Sequence, residues 1–248
     1  MIIFGTLTGT IVSILSIGFV LGVKNISDFR IETSPCLFQV SGYCFSITPL
    51  VFLFLAAIII ILVKRSLNIS RYHGPADVIL SAHSPSTELD VKTGFLSTFS
   101  AFISASGGAS VGQYGPLVHL GGTIGNFINR QVPALLSKDI FIGCGVAAAI
   151  SAGFNSPIGG IIFAHEAILR HFSFRAIAPI ALSSVVSSTL TTYFSHREYF
   201  FKYDSDISLL PAVSLSLLLG PICALIAVIF MKSLLNLQRI SLKYLQVK

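Results

Sequence analysis

Two proline-bearing breaks in a strongly apolar chain offer its best-defined chemistry. The first is Gly112-Gln113-Tyr114-Gly115-Pro116 and the second is Phe154-Asn155-Ser156-Pro157. Proline suits the first turn of a helix, so Pro116 and Pro157 mark helix starts whose neighbouring N–H groups point outward from a partly positive end. Such ends hold anions. Tyr114 adds a phenol that donates a hydrogen bond and, with a pKa near 10, stays neutral at ordinary pH. Tyr72 stands before a third turn, His73-Gly74-Pro75.

Plainer readings compete at each position. Gln113 and Tyr114 can simply close a helix break. Tyr72 can sit at headgroup level. Gly107, Gly108, Gly121, Gly122 and Gly125 read as sites of close helix packing. A proline flanked by glycine breaks a helix rather than packing one, which favours the ion-path reading of 112–116. Gly108-Ala109-Ser110-Val111-Gly112 has the spacing of a serine nucleophile elbow, and an intramembrane serine hydrolase is a separate class of answer. That motif needs a strand, a sharp turn and a histidine base. Here it lies in an apolar helical run, with nothing to bring His119 or His165 to Ser110. His165-Glu166 opens a zinc-protease motif, but the second histidine would fall at position 169, which is leucine. Glu166 is costly in an apolar helix and must face protein or water. It reads either as an inner-vestibule carboxylate or as the partner of Arg170, one turn on. His73 and His83 read as solvated.

These residues need a membrane scaffold to position them. Of 248 residues 53% are hydrophobic and only 10% charged, and the mean hydropathy is +0.84. A soluble domain is nearer a quarter charged. Residues 2–23 form an apolar run of spanning length with no basic leader, and Gly5, Gly9 and Ser13 make a small-residue stripe along it. A second span covers 47–63, and longer ones cover 176–194 and 209–235. Between them, 94–110, 117–128, 141–153 and 158–169 are shorter than the roughly 20 residues a span needs. Residues 76–82 are shorter still, a short or re-entrant helix behind Pro75. Broken helices are tolerated in a bilayer where they are buried in protein or line a wet cavity. The expected fold is all-α and polytopic, with eight or nine membrane-embedded helices of unequal length.

The net charge of +6 is scattered between apolar runs, so nucleic acid is not an expected partner. Loop 64–92 holds four lysines or arginines against two in loop 24–46. The positive-inside rule therefore puts the N-terminus in the cytoplasm. Cys144 and Cys223 lie in apolar runs as small core residues. Cys36 and Cys44 share a polar loop and can pair only if it faces an oxidising compartment.

The two breaks resemble signatures of the CLC family of chloride channels and proton-coupled chloride transporters. Residues 107–122 are similar to its Gly-Lys/Arg-Glu-Gly-Pro stretch, and 147–166 to its Ala-Ala-Phe-Asn-Ala-Pro-Leu-Ala-Gly-Ile-Leu-Phe…Glu stretch. Tyr72-His73-Gly74-Pro75 sits, more weakly, where the family has Gly-Ser-Gly-Ile-Pro. The resemblance implies an inverted-repeat helical fold, normally dimeric, with anions held by helix N-termini, and no cofactor. It places Gly112, Gln113, Tyr114, Gly115, Pro116 and Tyr72 on the anion path, Phe154, Asn155, Ser156 and Pro157 as a supporting break, and Glu166 in the inner vestibule. The family's gating and proton-carrying glutamate falls at Tyr114, the cation before it at Gln113, its inner proton-relay carboxylate at Ala167, and its anion-binding serine at Tyr72.

The function that follows is non-enzymatic movement of chloride or a similar small anion across a membrane, passive and without tight proton coupling. The expected location is the bacterial inner membrane. The chain reads as one transmembrane domain, 1–248, matching the first of two inverted repeats. It lacks the Gly-x-Phe-x-Pro motif and the tyrosine ligand of the second. Its partners are then lipid, an anion, and either a homodimer mate or a complementary half. The alternative is a truncated or half-molecule chain that is inactive alone.

Overall fold

The structure, a computed structural model, describes residues 2–35, 38–40, 43–67, 69, 71–84, 87–132, 137–195 and 209–245. The regular structure of the described residues is helical apart from one small hairpin. Its elements are α1 (Ile2–Glu32), β1 (Phe38–Val40), β2 (Tyr43–Phe45), α2 (Thr48–Ser66), α3 (Pro75–His83), α4 (Val91–Ser106), α5 (Tyr114–Gln131), α6 (Lys138–Phe154), α7 (Pro157–Phe163), α8 (Phe174–Ser195) and α9 (Leu209–Leu245). The chain divides into two compact units, Met1–Phe201 and Lys202–Lys248.

Several features differ from the sequence expectation. The first helix continues past residue 23 to Glu32, because no glycine or proline interrupts 24–32 and Arg30 in the last turn suits the negative end of the dipole. Part of the loop behind it forms an antiparallel hairpin that pairs Phe38 with Phe45 and Val40 with Tyr43. Cys36 lies outside the described residues, and so does any pairing of it with Cys44. The helix expected over 117–128 starts earlier, at Tyr114, so Gly115 and Pro116 sit inside its first turn. The break itself is the stretch before Tyr114.

Within the first unit, α5 and α6 share the most extensive contact. A Cβ on Gly121 would meet the Gly145 carbonyl, one on Gly145 would meet the Gly121 carbonyl, and one on Gly125 would meet the Phe141 carbonyl. Backbone lies on backbone. In lipid, where apolar association has no aqueous driving force, such close approach supplies the packing energy.

The stripe on α1 plays the same part against α8. Gly5 lies on Pro179 and Gly9 on Ser183, where added Cβ atoms would come within 2.5 and 2.6 Å of the carbonyl oxygens. Ser13 Oγ donates to the Ser187 carbonyl at 3.2 Å. The three contacts advance by four residues on each helix. The serines of α8 also tie it to α6: Ser183 Oγ donates to the Cys144 carbonyl and Ser187 Oγ to the Ala148 carbonyl, both at 2.8 Å.

Four helices among the described residues, α1, α2, α8 and α9, are long and apolar enough to cross a membrane. Of α2 only Ala56 is buried, and Leu50, Phe54, Ile61 and Leu62 are exposed. Water would penalise that surface and lipid would not. The chain is an integral membrane protein. In the second unit, α9 runs 37 residues, beyond the expected span and into the basic tail.

Candidate functional site

Three short helices begin around one cavity of about 600 Å³. Pro75 brings the start of α3, Tyr114 and Gly115 the start of α5, and Ser156 the residue before α7. Val118, Ile150 and Phe163 complete much of the wall. The sequence itself places each start. Pro75 and Pro157 occupy first-turn positions that lose no intrahelical hydrogen bond to proline. Gln113 and Ser156 precede α5 and α7 without a side-chain capping bond. First-turn N–H groups therefore remain at the positive ends of the dipoles.

The Tyr114 ring lies on the Phe154 ring, with centroids 3.9 Å apart and planes 30° from parallel. Gly153 makes room for it, since a Cβ there would come within 2.7 Å of Tyr114 Cδ1. Gly115 sits beside Pro75, where a Cβ would be in ordinary contact at 3.6 Å from Cγ. Packing on both sides thus holds the first turn of α5.

The second break is braced from α8. Asn155 ends α6 in the left-handed region, φ 51°, and its Oδ1 accepts hydrogen bonds from Ser188 Oγ at 2.8 Å and Thr192 Oγ1 at 3.1 Å. Ser184 Oγ donates to the Pro157 carbonyl at 2.7 Å. The reversal from α6 into α7 is therefore fixed by side chains rather than left to the loop.

The cavity gathers Tyr114, Gly115, Phe154 and Ser156 from the residues singled out in the sequence. Gly112 and Gln113 lie just ahead of α5 and do not line it. Pro116 and Tyr72 line a neighbouring cavity. Asn155 serves the brace. Glu166 is exposed, in a π-helical turn, Ala164–Leu169, that continues α7. Its pairing with Arg170 does not form: Arg170 ends the turn in the left-handed region, φ 58°, so the i, i+4 geometry is lost. Among the described residues the ion pairs are Arg71–Asp77 and Arg130–Glu88, and His171 Nε2 lies 4.0 Å from Asp139.

Ser110 sits in the exposed link between α4 and α5, with no strand before it, and both ring nitrogens of His119 lack a hydrogen-bond partner. The hydrolase arrangement is not present. His73, expected to be solvated, instead turns its ring to His119, with centroids 5.7 Å apart, and its Nδ1 is buried without a partner. Sequence reading missed this pair. Its one signal was that His119 falls three residues after Pro116 in an otherwise apolar run.

The sequence pattern of the voltage-gated chloride channel family matches residues 54–248. The chain belongs to this CLC family. A ClcB-like protein of Ralstonia nicotianae is 25% identical over 111 residues, 43% of this chain and 26% of that protein. The voltage-gated ClC-type chloride channel ClcB of Escherichia coli is 19% identical over 144 residues, 58% of this chain and 34% of that protein. A slow cyanobacterial Cl⁻/H⁺ antiporter overlays with a TM-score of 0.66 at 18% identity, covering 88% of this chain and 52% of the antiporter. A CLC-type fluoride/proton antiporter gives 0.66 at 22%, covering 89% and 53%. The chain thus spans about half the length of these CLC structures and about a third or less of the curated relatives.

Proposed function

We propose that the chain moves chloride or a similar small anion across a membrane, with the anion passing the cavity where α3, α5 and α7 begin. The gathering of three helix starts, at Pro75, Tyr114 and Ser156, around one space with a largely apolar wall carries this reading. A negative ion there gains from dipoles already oriented and needs no rearrangement. Tyr72, Gly112, Gln113 and Pro116 belong to the approach, Phe154 to Pro157 to the support, and Glu166 to the inner side.

Transport is passive. A carboxylate can displace an anion and carry a proton at accessible pH, whereas a phenol does neither readily. No catalytic step and no cofactor belong to this reading. The setting is a bacterial inner membrane with the N-terminus in the cytoplasm. Residues 1–248 act as one transmembrane domain, the first repeat of a two-repeat fold, completed by a homodimer mate or a complementary half.

Reconstitution into chloride-loaded liposomes tests this, with the chain alone and co-expressed with a candidate complementary half. The expected result is chloride efflux, without uphill proton movement, in at least one preparation. Efflux no faster than from empty vesicles in both would defeat the transport reading. Proton pumping driven by the chloride gradient would defeat the passive one.

A further inference from the structure

A separate space of about 260 Å³ lies between α1, α4 and α5. Ile11 and Leu15 wall it from α1, Phe95 from α4, and Ile124, Phe127 and Ile128 from α5. The one polar residue in this wall, Thr123, donates its hydroxyl to the His119 carbonyl at 2.8 Å and keeps no donor for the space. Among the described residues no charged side chain lines it. Phe95 is 43% exposed and Phe127 44%, so they are the rims of an open groove rather than the walls of a sealed void. An apolar space gives water no partners and stays dry. In a chain that lives in a bilayer, what fills such a groove is hydrocarbon.

Charge decides which hydrocarbon. Thr98 meets Pro116, Gly94 lies beside Thr123 and Glu88 pairs with Arg130, so α4 and α5 run in opposite directions and the start of α4 shares one end of the groove with the end of α5. Lys92 stands three residues before Phe95, and Arg130 three after Phe127. Residues three apart share a helix face, and three residues are about 4.5 Å of helix axis. Each rim phenylalanine therefore has a cation one turn nearer the same end. Both cations are exposed. Lys92 joins no ion pair among the described residues. Arg130 lies 3.2 Å from Glu88, but the two side chains are 51% and 57% exposed, and pairs so exposed hold weakly. Asp90, the other acid at this end, is occupied by Thr93.

We propose that this groove binds an acyl chain of an anionic phospholipid, with the headgroup phosphate between Lys92 and Arg130. Lysine meets a phosphate as a point charge and arginine as a fork. Long basic side chains also reach from apolar surface to headgroup level. A whole helix, about 10 Å across, does not fit so small a space, and a zwitterionic lipid brings the two cations no net counter-charge. The groove shares no wall residue with the cavity at the starts of α3, α5 and α7. Its occupancy is read at equilibrium, so it stands or falls separately from flux.

The chain contains no tryptophan, so one introduced at the rim reports on the groove alone. The full chain carrying Phe127→Trp is reconstituted in phosphatidylcholine bilayers and titrated with a minor fraction of brominated phosphatidylglycerol or brominated phosphatidylcholine, whose bromines quench tryptophan at close range. Phe54→Trp, exposed on α2, is the reference for lipid at large. At the rim the anionic lipid should quench at a mole fraction at least about fivefold lower than the zwitterionic one, the worth of one basic residue at a membrane surface. At Phe54→Trp the two lipids should quench alike. Lys92→Gln together with Arg130→Gln should bring the rim preference down to the Phe54→Trp level. If Phe127→Trp does not elute as a folded species, Phe95→Trp on the opposite rim takes its place. Equal quenching by the two lipids at the rim, or a preference that survives loss of both cations, would overturn the proposal. So would a rim shielded from both lipids, as a second copy or a complementary half seated there would make it.

Discussion

Tyr114 and Phe154 stack face to face at 3.9 Å between ring centroids, and this contact joins the two sequence breaks into one structure. Tyr114 opens α5 and Phe154 closes α6. The phenol ring is thereby held in the wall of the cavity. The clearance for the ring comes from Gly153, one residue before its partner.

Gly153→Ala should therefore disturb Tyr114 rather than α6. The added methyl falls 2.7 Å from Tyr114 Cδ1, and overpacking of this kind costs about 1–3 kcal/mol. Thermal unfolding in detergent should show the loss. The double variant with Tyr114→Ala, which removes the obstructing ring, should recover much of it. Equal destabilisation by Gly153→Ala in both backgrounds would mean that the ring is not what the glycine accommodates.

Gly145→Ala tests the α5–α6 contact. Its Cβ would meet the Gly121 carbonyl, which cannot rotate away as a side chain would. The expected cost is at least about 1–3 kcal/mol, since backbone must move. Gly220→Ala is the comparison, because nothing lies within 4 Å of its added Cβ. Urea or thermal midpoints should fall for the first and stay near the starting value for the second.

At Asn155 two effects can be separated. The left-handed conformation disfavours alanine by about 1–2 kcal/mol, and the side chain also accepts bonds from Ser188 and Thr192. Asn155→Gly keeps the backbone and loses only the bonds, so it should be the milder change by about 1 kcal/mol. If glycine proves as damaging as alanine, the hydrogen bonds rather than the backbone conformation dominate at the break.

Asp90 caps α4 and gives the chain a pH signature. Hydrogen bonds from the Thr93 hydroxyl and amide hold its carboxyl below the ordinary value of 3.8. A lowered native pKa adds stability that is fully present above 3.8 and is lost as the pH falls through the native value. Asp90→Ala should cost about 1 kcal/mol near pH 7, typical of a lost N-cap. That difference should hold down to about pH 4 and shrink below it, as read from unfolding midpoints across pH. The same difference at pH 2 as at pH 7 would mean that the charge of the cap contributes nothing.

Much of the architecture was legible in residue order. The apolar spans, the helix starts at Pro75 and Pro157, and the small-residue stripe of α1 each follow from local rules: length against bilayer thickness, the missing N–H of proline, the missing Cβ of glycine. Boundaries were less legible. Residues 24–32 are polar enough to read as loop, yet helix propagation carries α1 through them, since polarity does not end a helix without a breaker. Glu166 and Arg170 have the spacing of a helical pair, but the spacing assumed an α-helix to Arg170, and the chain instead passes through a π-helical turn and reverses.

By itself the sequence determined that this chain lives in a membrane and that its middle helices are broken, because composition and single-residue backbone preferences act locally. Only the tertiary structure decided which ends meet. It put Tyr114 on Phe154, gave Gly112 and Gln113 no place in the cavity wall, and turned His73 inward to His119. Those outcomes depend on helices far apart in the chain approaching to backbone contact, and distance in space between such residues is not encoded in any local pattern.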